Sequence, residues 1–244
     1  MRYAIVSDIH GNLVAFQAVL DHMRGAGPVE EIWCLGDLVG YGPAPDECIQ
    51  LLRSHPHVCI AGNHDWAAIG RVDVSDFNPD AAAAIRWTSR HLSAESRAYL
   101  ESLRLTEVTG EFTLAHGTPR NPIWEYLLSE KAGRVSFDHF QTRFCLIGHS
   151  HVPLLCHLDE RGRVSLLGIP QDRPFRLKEG RWILNPGSVG QPRDGDPRAS
   201  YVIYEAETDE FQNFRVTYDI EATQRAMQTL ALPRRLVERL SYGW

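Results

Sequence analysis

Five short apolar runs of this chain each end directly in glycine and polar residues, and this arrangement constrains its fold more than any other feature. The five polar segments are Asp8-Ile9-His10, Gly36-Asp37, Gly62-Asn63-His64-Asp65, His116-Gly117 and Gly148-His149-Ser150-His151. The first three runs alternate with two helix-like segments, and this order predicts right-handed crossover connections and a parallel sheet. Because ligands of open α/β sheets bind beyond the carboxyl ends of the strands, we expect the five segments to meet at one edge.

Hydrophobic periodicity and capping residues predict the elements between these segments. Strands are expected over residues 2–7, 31–35, 58–61, 111–115 and 143–147, and helices over 12–24 and 45–53. An insertion over residues 66–110 is expected to place two helices, over 80–91 and 93–103, at the rim of the site.

The pattern after residue 150 changes to short strands with tight turns. Strands over 153–158, 163–167, 181–184, 200–205 and 211–217 are expected to form a second sheet packed against the first. A helical segment over 221–240, interrupted at Pro233, is expected to pack on the domain or to form a dimer contact. We expect an α/β fold in which residues 1–244 form a single domain.

Seven side chains in the polar segments are of types that bind metal ions. They are Asp8, His10, Asp37, Asn63, His116, His149 and His151. Imidazole and carboxylate ligands suit divalent first-row ions, whereas the lack of nearby thiolates disfavours a structural zinc or an iron–sulfur site. Seven ligands exceed the need of one ion, so we expect two ions about 3.5–4 Å apart with one bridging carboxylate. Ligands two residues apart are expected to share a face because strand side chains alternate.

These five segments resemble the signature of the calcineurin-like metallophosphoesterases. Residues 185–193, with the sequence NPGSVGQPR, resemble a segment of the small bacterial and archaeal branch of that superfamily. The resemblance implies a four-layer α-β-β-α sandwich. It also implies that Asp8, His10 and His151 hold one ion, that Asn63, His116 and His149 hold the other, and that Asp37 bridges them. His64 would be the general acid and not a ligand.

The implied activity is hydrolysis of a phosphomonoester or phosphodiester, with nucleotides and dinucleoside polyphosphates among the candidate substrates. A metal-bridging hydroxide would attack phosphorus, and His64 would protonate the leaving oxygen. The metal identity stays open, because manganese, iron, zinc, cobalt and nickel all accept these ligands.

Two alternatives of function stay open. The first is a phosphoprotein phosphatase. Those enzymes carry a G-D-x-V-D-R-G pattern, and this chain departs from it because Gly40 and Tyr41 replace the second Asp and the Arg. Whether Asp65 supports His64 instead is undecided. The second is a catalytically silent binding module on the same fold, as in the related retromer subunit. The presence of all seven ligands and His64 disfavours it.

Substrate contacts are expected from arginines and aromatic rings near the motifs. Arg120 and Arg193 are candidate phosphate ligands because a guanidinium fork matches phosphate oxygens. Four aromatic residues are candidates for stacking on a nucleobase, with core packing as the alternative role; they are Tyr41, Trp66, Phe77 and Trp124.

Composition limits the partners and the compartment. The net charge of −6 disfavours an extended nucleic-acid surface or an anionic membrane surface. No apolar run approaches the roughly 20 residues that a bilayer requires, and the first strand meets Ser7 and Asp8 too soon for a signal peptide. Five cysteines without a C-x-x-C pair predict reduced thiols in the cytoplasm. The sequence is compatible with an oligomer.

Overall fold

The computed structural model describes residues 1–244, and its 11 strands form two sheets. The first sheet has the order β11-β10-β1-β2-β3. Its strands are β1 (Arg2–Val6), β2 (Glu31–Cys34), β3 (His57–Cys59), β10 (Ala199–Glu205) and β11 (Glu210–Val216). Strands β1, β2 and β3 run parallel, as their crossover helices predict, whereas β10 is antiparallel to β1.

The second sheet has the order β4-β5-β6-β9-β7-β8. Its strands are β4 (Thr106–Thr109), β5 (Phe112–Ala115), β6 (Phe144–Leu146), β7 (Leu154–Leu158), β8 (Val164–Gly168) and β9 (Arg181–Asn185). The central strands β5, β6 and β9 are parallel to one another, and antiparallel strands flank them. The carboxyl ends of β5 and β6 therefore share one edge.

Eight α-helices complete the fold. They are α1 (Leu13–Gly25), α2 (Pro45–Arg53), α3 (Asn63–Ala68), α4 (Pro79–His91), α5 (Ala94–Ser102), α6 (Glu130–Ser136), α7 (Ile220–Thr229) and α8 (Arg234–Glu238). Six of them match the predicted helical segments, whereas α3 and α6 were not predicted. Helix α1 begins where expected because the Asn12 side chain accepts a hydrogen bond from the Ala15 N–H. None of the helices combines the length and the hydropathy needed to cross a bilayer.

Apolar packing arranges these elements in four layers. One core lies between the two sheets and includes Ile5, Trp33 and Leu35 of the first sheet and Phe112 and Leu146 of the second. A second core joins the outer face of the first sheet to α1 and α2, and a third joins the outer face of the second sheet to the α6 region. The predicted α-β-β-α sandwich is confirmed.

A fourth core holds the C-terminal helices close to the polar segments. Met227 of α7 and Leu236 of α8 pack with Ala81 and Ala84 of α4 and with Tyr41. The region 221–240 is helical around Pro233, as predicted.

The prediction that all strands after residue 150 form the second sheet was wrong. β10 and β11 return to the first sheet, where Arg2 pairs with Glu205 and Ile5 with Val202, and β5 and β6 belong to the second sheet. The free edge of β1 recruits β10 across almost the whole chain, and local patterning carries no signal for such a pairing. The short strand β4 was not predicted; its side chains alternate between exposed and half-buried at a sheet edge.

Candidate functional site

The five polar segments lie together, beyond the carboxyl ends of strands from both sheets. Oδ1 of Asp8 lies 3.3 Å from Nε2 of His151. Oδ2 of Asp37 lies 3.7 Å from Nε2 of His10 and 3.2 Å from Nε2 of His116. All five side chains are buried. The expectation that residues from distant segments converge on one edge is therefore met.

Three overlapping groups of side chains in this cluster have ligand atoms within 4.8 Å of one another. The groups are Asp8, His10 and His151; His10, Asp37 and His64; and Asp37, His116 and His149. Asn63 joins the third group, since its Oδ1 lies 3.1 Å from Nε2 of His116. Asp37 belongs to two groups and so connects the two ends of the cluster.

The backbone at these positions is not extended, contrary to the expectation that strand alternation aligns the side chains. Five of the residues have left-handed φ angles: Asp8 (53°), His10 (51°), Asp37 (52°), His149 (66°) and His151 (59°). Non-glycine residues rarely adopt this conformation, and it concentrates at functional sites. Main-chain hydrogen bonds such as His10 N–H to Asp37 O (2.9 Å) hold the turns in place.

Main-chain carbonyls orient the rings of His10 and His151. Nδ1 of His10 lies 3.1 Å from Val39 O, and Nδ1 of His151 lies 2.6 Å from Gln191 O. A carbonyl only accepts, so each Nδ1 carries the proton and each Nε2 presents a lone pair. Burial lowers the pKa of both rings well below the usual value. The two Nε2 atoms are 3.1 Å apart, and only a cation between them satisfies two facing lone pairs.

His116 and His149 are oriented in the same way at the other end. Nδ1 of His116 donates to Leu35 O at 2.8 Å, and Nε2 of His149 donates to Trp124 O at 3.2 Å. Burial alone would lower the pKa of His116, but the Asp37 carboxylate outweighs it and raises that pKa to about 10. Asp37 thus attracts positive charge to this position, and protons and metal ions compete for such sites.

Two carboxylate oxygens in the cluster are buried without a hydrogen-bond donor: Oδ1 of Asp8 and Oδ2 of Asp37. Unsatisfied buried acceptors are costly, and native proteins pair nearly all of them. Burial raises the pKa of Asp8 to about 7. Burial also opposes ionisation of Asp37, but the facing imidazoles of His116 and His64 hold its pKa below the usual range. The cluster therefore offers the Nε2 lone pairs of His10 and His151, the amide oxygen of Asn63 and the unpaired carboxylate oxygens of Asp8 and Asp37. This set of ligand atoms fits divalent cations.

His64 lies at the start of α3, next to Asn63. Its N–H donates to Oδ1 of Asp37 at 2.8 Å, while its Nδ1 is buried without a partner. The ring is packed by Tyr41, at a centroid distance of 4.3 Å, and by Phe77, at 5.0 Å. Burial lowers the pKa of His64 to about 4.

Asp65 does not support the His64 ring. Its Oδ1 accepts from Val39 N–H at 3.1 Å, and its Oδ2 accepts from Gly62 N–H at 2.9 Å. The Asp65 carboxylate therefore joins the loops that carry Asp37 and Asn63. Its role is structural, and it does not orient the His64 ring.

A cleft of about 230 Å³ opens above the cluster, and Asp37, Asn63, His149 and His151 form part of its wall. Its other lining residues include the aromatic rings of Tyr41, Phe77, Trp124 and Tyr126 and the guanidinium groups of Arg193 and Arg239. The cleft therefore combines cationic and aromatic surfaces beside the candidate metal ligands.

Three of the aromatic candidates and one of the two arginines line this cleft: Tyr41, Phe77, Trp124 and Arg193. Nη2 of Arg193 lies 2.9 Å from Oε1 of Gln191 and 3.4 Å from the Tyr41 hydroxyl. Arg193 makes no ion pair with an acidic side chain, and its Nε is buried without a partner.

Two predicted substrate residues lie elsewhere. Arg120 does not line the cleft, because its guanidinium is paired with the Glu125 carboxylate, with Nε 2.9 Å from Oε2. Trp66 does not line it either, and Arg71 lies 5.7 Å from the centre of its ring. Both residues follow a motif closely in sequence, but neither is part of the cleft beside the candidate metal ligands.

Two residues that line the cleft were not predicted from the sequence as substrate contacts. The Tyr126 ring stacks on His149 at a centroid distance of 3.9 Å, and Arg239 reaches the cleft from the C-terminal turn. No motif marks either residue. The only sequence signal for Arg239 was the arginine content of the C-terminal helical segment.

Comparison with known proteins identifies the family. Residues 1–209 match the model of the calcineurin-like phosphoesterase superfamily domain. The chain is 37% identical over 245 residues to an uncharacterized protein of Methanocaldococcus jannaschii, covering 98% of this chain and 97% of that protein. The crystal structure of a metallophosphoesterase from Sphaerobacter thermophilus superimposes with a TM-score of 0.90 at 46% identity, covering 100% and 99% of the two chains.

A partial likeness extends to enzymes of stated activity. The chain is 33% identical over 96 residues to a symmetrical bis(5'-nucleosyl)-tetraphosphatase of Pseudomonas putida, and the match spans 34% of this chain and 33% of that enzyme. The predicted family, fold and enzyme class are thereby confirmed. The chain belongs to the calcineurin-like phosphoesterase superfamily and is a hydrolase that acts on phosphate esters.

Proposed function

We propose that this protein hydrolyses small phosphorylated substrates, nucleotides among them, with two divalent metal ions bound in the cluster at the sheet edges. The observation that carries the proposal is the acceptor-only character of the cluster. Lone pairs of His10 and His151 face each other at 3.1 Å, and buried oxygens of Asp8 and Asp37 have no donor. Such a set is stable only around positive charge.

In this proposal Asp8, His10 and His151 would hold one ion, Asn63, His116 and His149 would hold the other, and Asp37 would be shared by both. The place of Asp37 in two of the three groups supports the bridging role. Manganese, iron, zinc, cobalt and nickel all remain candidates, because imidazole and carboxylate ligands suit each of them.

When bound, two divalent ions supply charge neutralisation of phosphate oxygens and an activated water. The chain's own residues provide orientation and proton transfer. The carbonyls of Val39 and Gln191 fix the rings of His10 and His151, so that Nε2 of each faces the cluster. The cationic side chain of Arg193 lines the cleft and can bind a phosphate oxygen of the substrate.

His64 is proposed as the general acid. It lines the cleft, and its ring is held by Tyr41 and Phe77 and not by a carboxylate. Nδ1 faces Gly40, so Nε2 is the ring atom left to deliver a proton to the leaving oxygen. General acid catalysis of this kind contributes about 10²–10⁴-fold.

Nucleotides are favoured among the substrates by the four aromatic rings and the two arginines of the cleft. The partial likeness to symmetrical bis(5'-nucleosyl)-tetraphosphatases supports dinucleoside polyphosphates in particular. A phosphoprotein substrate is less suited, because Gly40 and Tyr41 replace two residues of the phosphoprotein phosphatase pattern. The five free cysteines support a cytoplasmic location for this activity.

The test combines metal analysis with a substrate panel. Protein loaded with each of the five metals is assayed with p-nitrophenyl phosphate, bis(p-nitrophenyl) phosphate, diadenosine tetraphosphate and a phosphoserine peptide. We expect two ions per chain and the highest kcat/KM with the nucleotide. One ion per chain at full activity, or faster hydrolysis of the phosphopeptide, contradicts the proposal.

A further inference from the structure

A second groove, of about 650 Å³, lies beside the cleft, between the start of α4 and the C-terminal turn. Asn78 and Arg239 line both the cleft and this groove. A molecule bound at the candidate metal ligands can therefore continue past Arg239 into the groove without leaving the surface.

Two arginines, Arg193 and Arg239, lie where the cleft meets the groove. Neither makes an ion pair with an acidic side chain, but Nε of Arg239 donates to the main-chain oxygen of Trp244, and Asp76 and Asp80 lie in the walls of the cleft and the groove. Burial lowers the pKa of Arg239 to about 10, and the nearby Arg193 adds to the effect. Two partly buried cations beside each other are stabilised by an anion between them.

The loop of Arg193 and the turn of Arg239 are fastened to each other. Gly195 N–H donates to Gly243 O at 3.0 Å, and Gly243 N–H donates to Arg239 O at 3.1 Å. Gly243 is buried with φ at 69°, and a Cβ on it would lie 2.8 Å from the Asp196 carbonyl carbon. The main-chain segments that carry the two guanidinium groups are thus joined to each other.

Beyond Arg239 the wall of the groove carries both signs of charge and two exposed aromatic rings. The charged residues are Arg235, Asp80 and Glu238, of which Glu238 pairs with Arg234. Tyr242 and Trp244 lie on the wall, stacked on each other at 4.9 Å and still 56% and 64% exposed. An exposed aromatic pair of this kind fits a planar, uncharged ring such as a nucleobase.

We propose that Arg193 and Arg239 form a second phosphate subsite and that the groove lined by Tyr242 and Trp244 binds the nucleoside attached to it. This inference rests on the proposed function, because the first phosphate of the substrate occupies the metal centre. It narrows the substrate class to nucleotides with at least two linked phosphates. A nucleoside monophosphate cannot fill both phosphate positions.

The experiment measures binding without turnover. The manganese-loaded protein is titrated calorimetrically with α,β-methylene-ADP, AMP and adenosine, and the titrations are repeated in EDTA. We expect α,β-methylene-ADP to bind about tenfold more tightly than AMP, since its second phosphate adds a charge-assisted hydrogen bond. Arg239→Gln should abolish this preference. Trp244→Ala, a change at an exposed side chain, should weaken α,β-methylene-ADP several-fold.

Arg234→Gln serves as the matched control. Arg234 is on α8, pairs with Glu238 and lines neither cavity, so this variant should bind all three compounds like the wild type. Wild-type affinity of both Arg239→Gln and Trp244→Ala for α,β-methylene-ADP would overturn the inference. So would light scattering that shows a dimer dispersed by Trp244→Ala, because a second copy would then occupy the groove.

Binding and hydrolysis measurements distinguish a failure of this inference from a failure of the proposed function. Binding of α,β-methylene-ADP that depends on Arg239, in a protein that hydrolyses no ester with any metal, supports the subsite and rejects the function. Hydrolysis without any dependence of nucleotide binding on Arg239 rejects the subsite and leaves the function standing.

Discussion

Gly40 lies directly against the imidazole of His64: a Cβ built on Gly40 would be 2.5 Å from Nδ1 of His64. Related phosphoprotein phosphatases carry an Asp in the matching position of their motif, and here the ring has neither a carboxylate partner nor room for one. His64 is instead held by the faces of Tyr41 and Phe77.

Gly40→Ala should therefore displace His64 and lower kcat by about tenfold or more while leaving two ions bound. Gly70→Ala is the matched control, because Gly70 also has positive φ but nothing lies within 4 Å of its Cβ position. Both variants should lose about 1 kcal/mol of stability from backbone strain. Equal kcat values for the two variants would contradict the packing role of Gly40.

His64→Ala should lower kcat by about 10²–10⁴-fold with the metal content unchanged, because the general acid is lost and the ligands remain. His139→Ala, a change at an exposed histidine outside the cluster, is the control and should behave like the wild type. Steady-state kinetics and metal analysis are read together. Loss of an ion from His64→Ala would make His64 a ligand, in keeping with its place in the group of His10 and Asp37.

Asp37→Asn should lower the bound metal to less than one ion per chain, because Asp37 is shared by two ligand groups. His10→Ala should retain about one ion. Plasma emission measurements on dialysed protein give both numbers, with Asp138→Asn, at an exposed position, as the control. Equal metal loss in the Asp37 and His10 variants would argue against a bridging role.

Removal of metal should destabilise the protein. A ligand present at 100 times its Kd adds about 2.7 kcal/mol, which corresponds to about 5–10 °C in Tm for a chain of this size. Scanning calorimetry with and without EDTA measures the shift. Asp37→Asn should show almost none, and a wild-type Tm that is insensitive to EDTA would count against the metal centre.

Arg193→Gln should raise KM for phosphate esters about tenfold with a smaller effect on kcat, because a charged contact to the substrate is lost. Arg120→Gln should leave both constants unchanged, since Arg120 pairs with Glu125 and does not line the cleft. The opposite outcome, with Arg120 sensitive and Arg193 silent, would restore the original expectation for Arg120.

The sequence predicted what local chemistry determines. Helix α1 begins at its Asn12 cap, and the candidate metal ligands follow apolar strands that parallel pairing aligns at one edge. Seven candidate ligands in a fixed order made the cluster predictable although its members are far apart in the chain.

The rest depended on tertiary packing. Arg120 was misjudged because its nearness to His116 in sequence concealed an ion pair with Glu125. Tyr126 and Arg239 were missed because a loop and a C-terminal turn carry them to the cleft, and neither has a periodic or motif signature. The pairing of β10 with β1 followed from an open strand edge, which no local window contains.

The position of β1 also makes the turn that carries Asp8 depend on a distant part of the chain. One of the two neighbours of β1 in the sheet is β10, which comprises residues 199–205. The turn after β1 that carries Asp8 is further fixed by main-chain hydrogen bonds from Val189 and Gly190 to Ser7 and Asp8. A chain without residues 199–205 would therefore leave β1 with an open edge beside this turn, so loss of β10 is expected to disturb the candidate metal site from a distance.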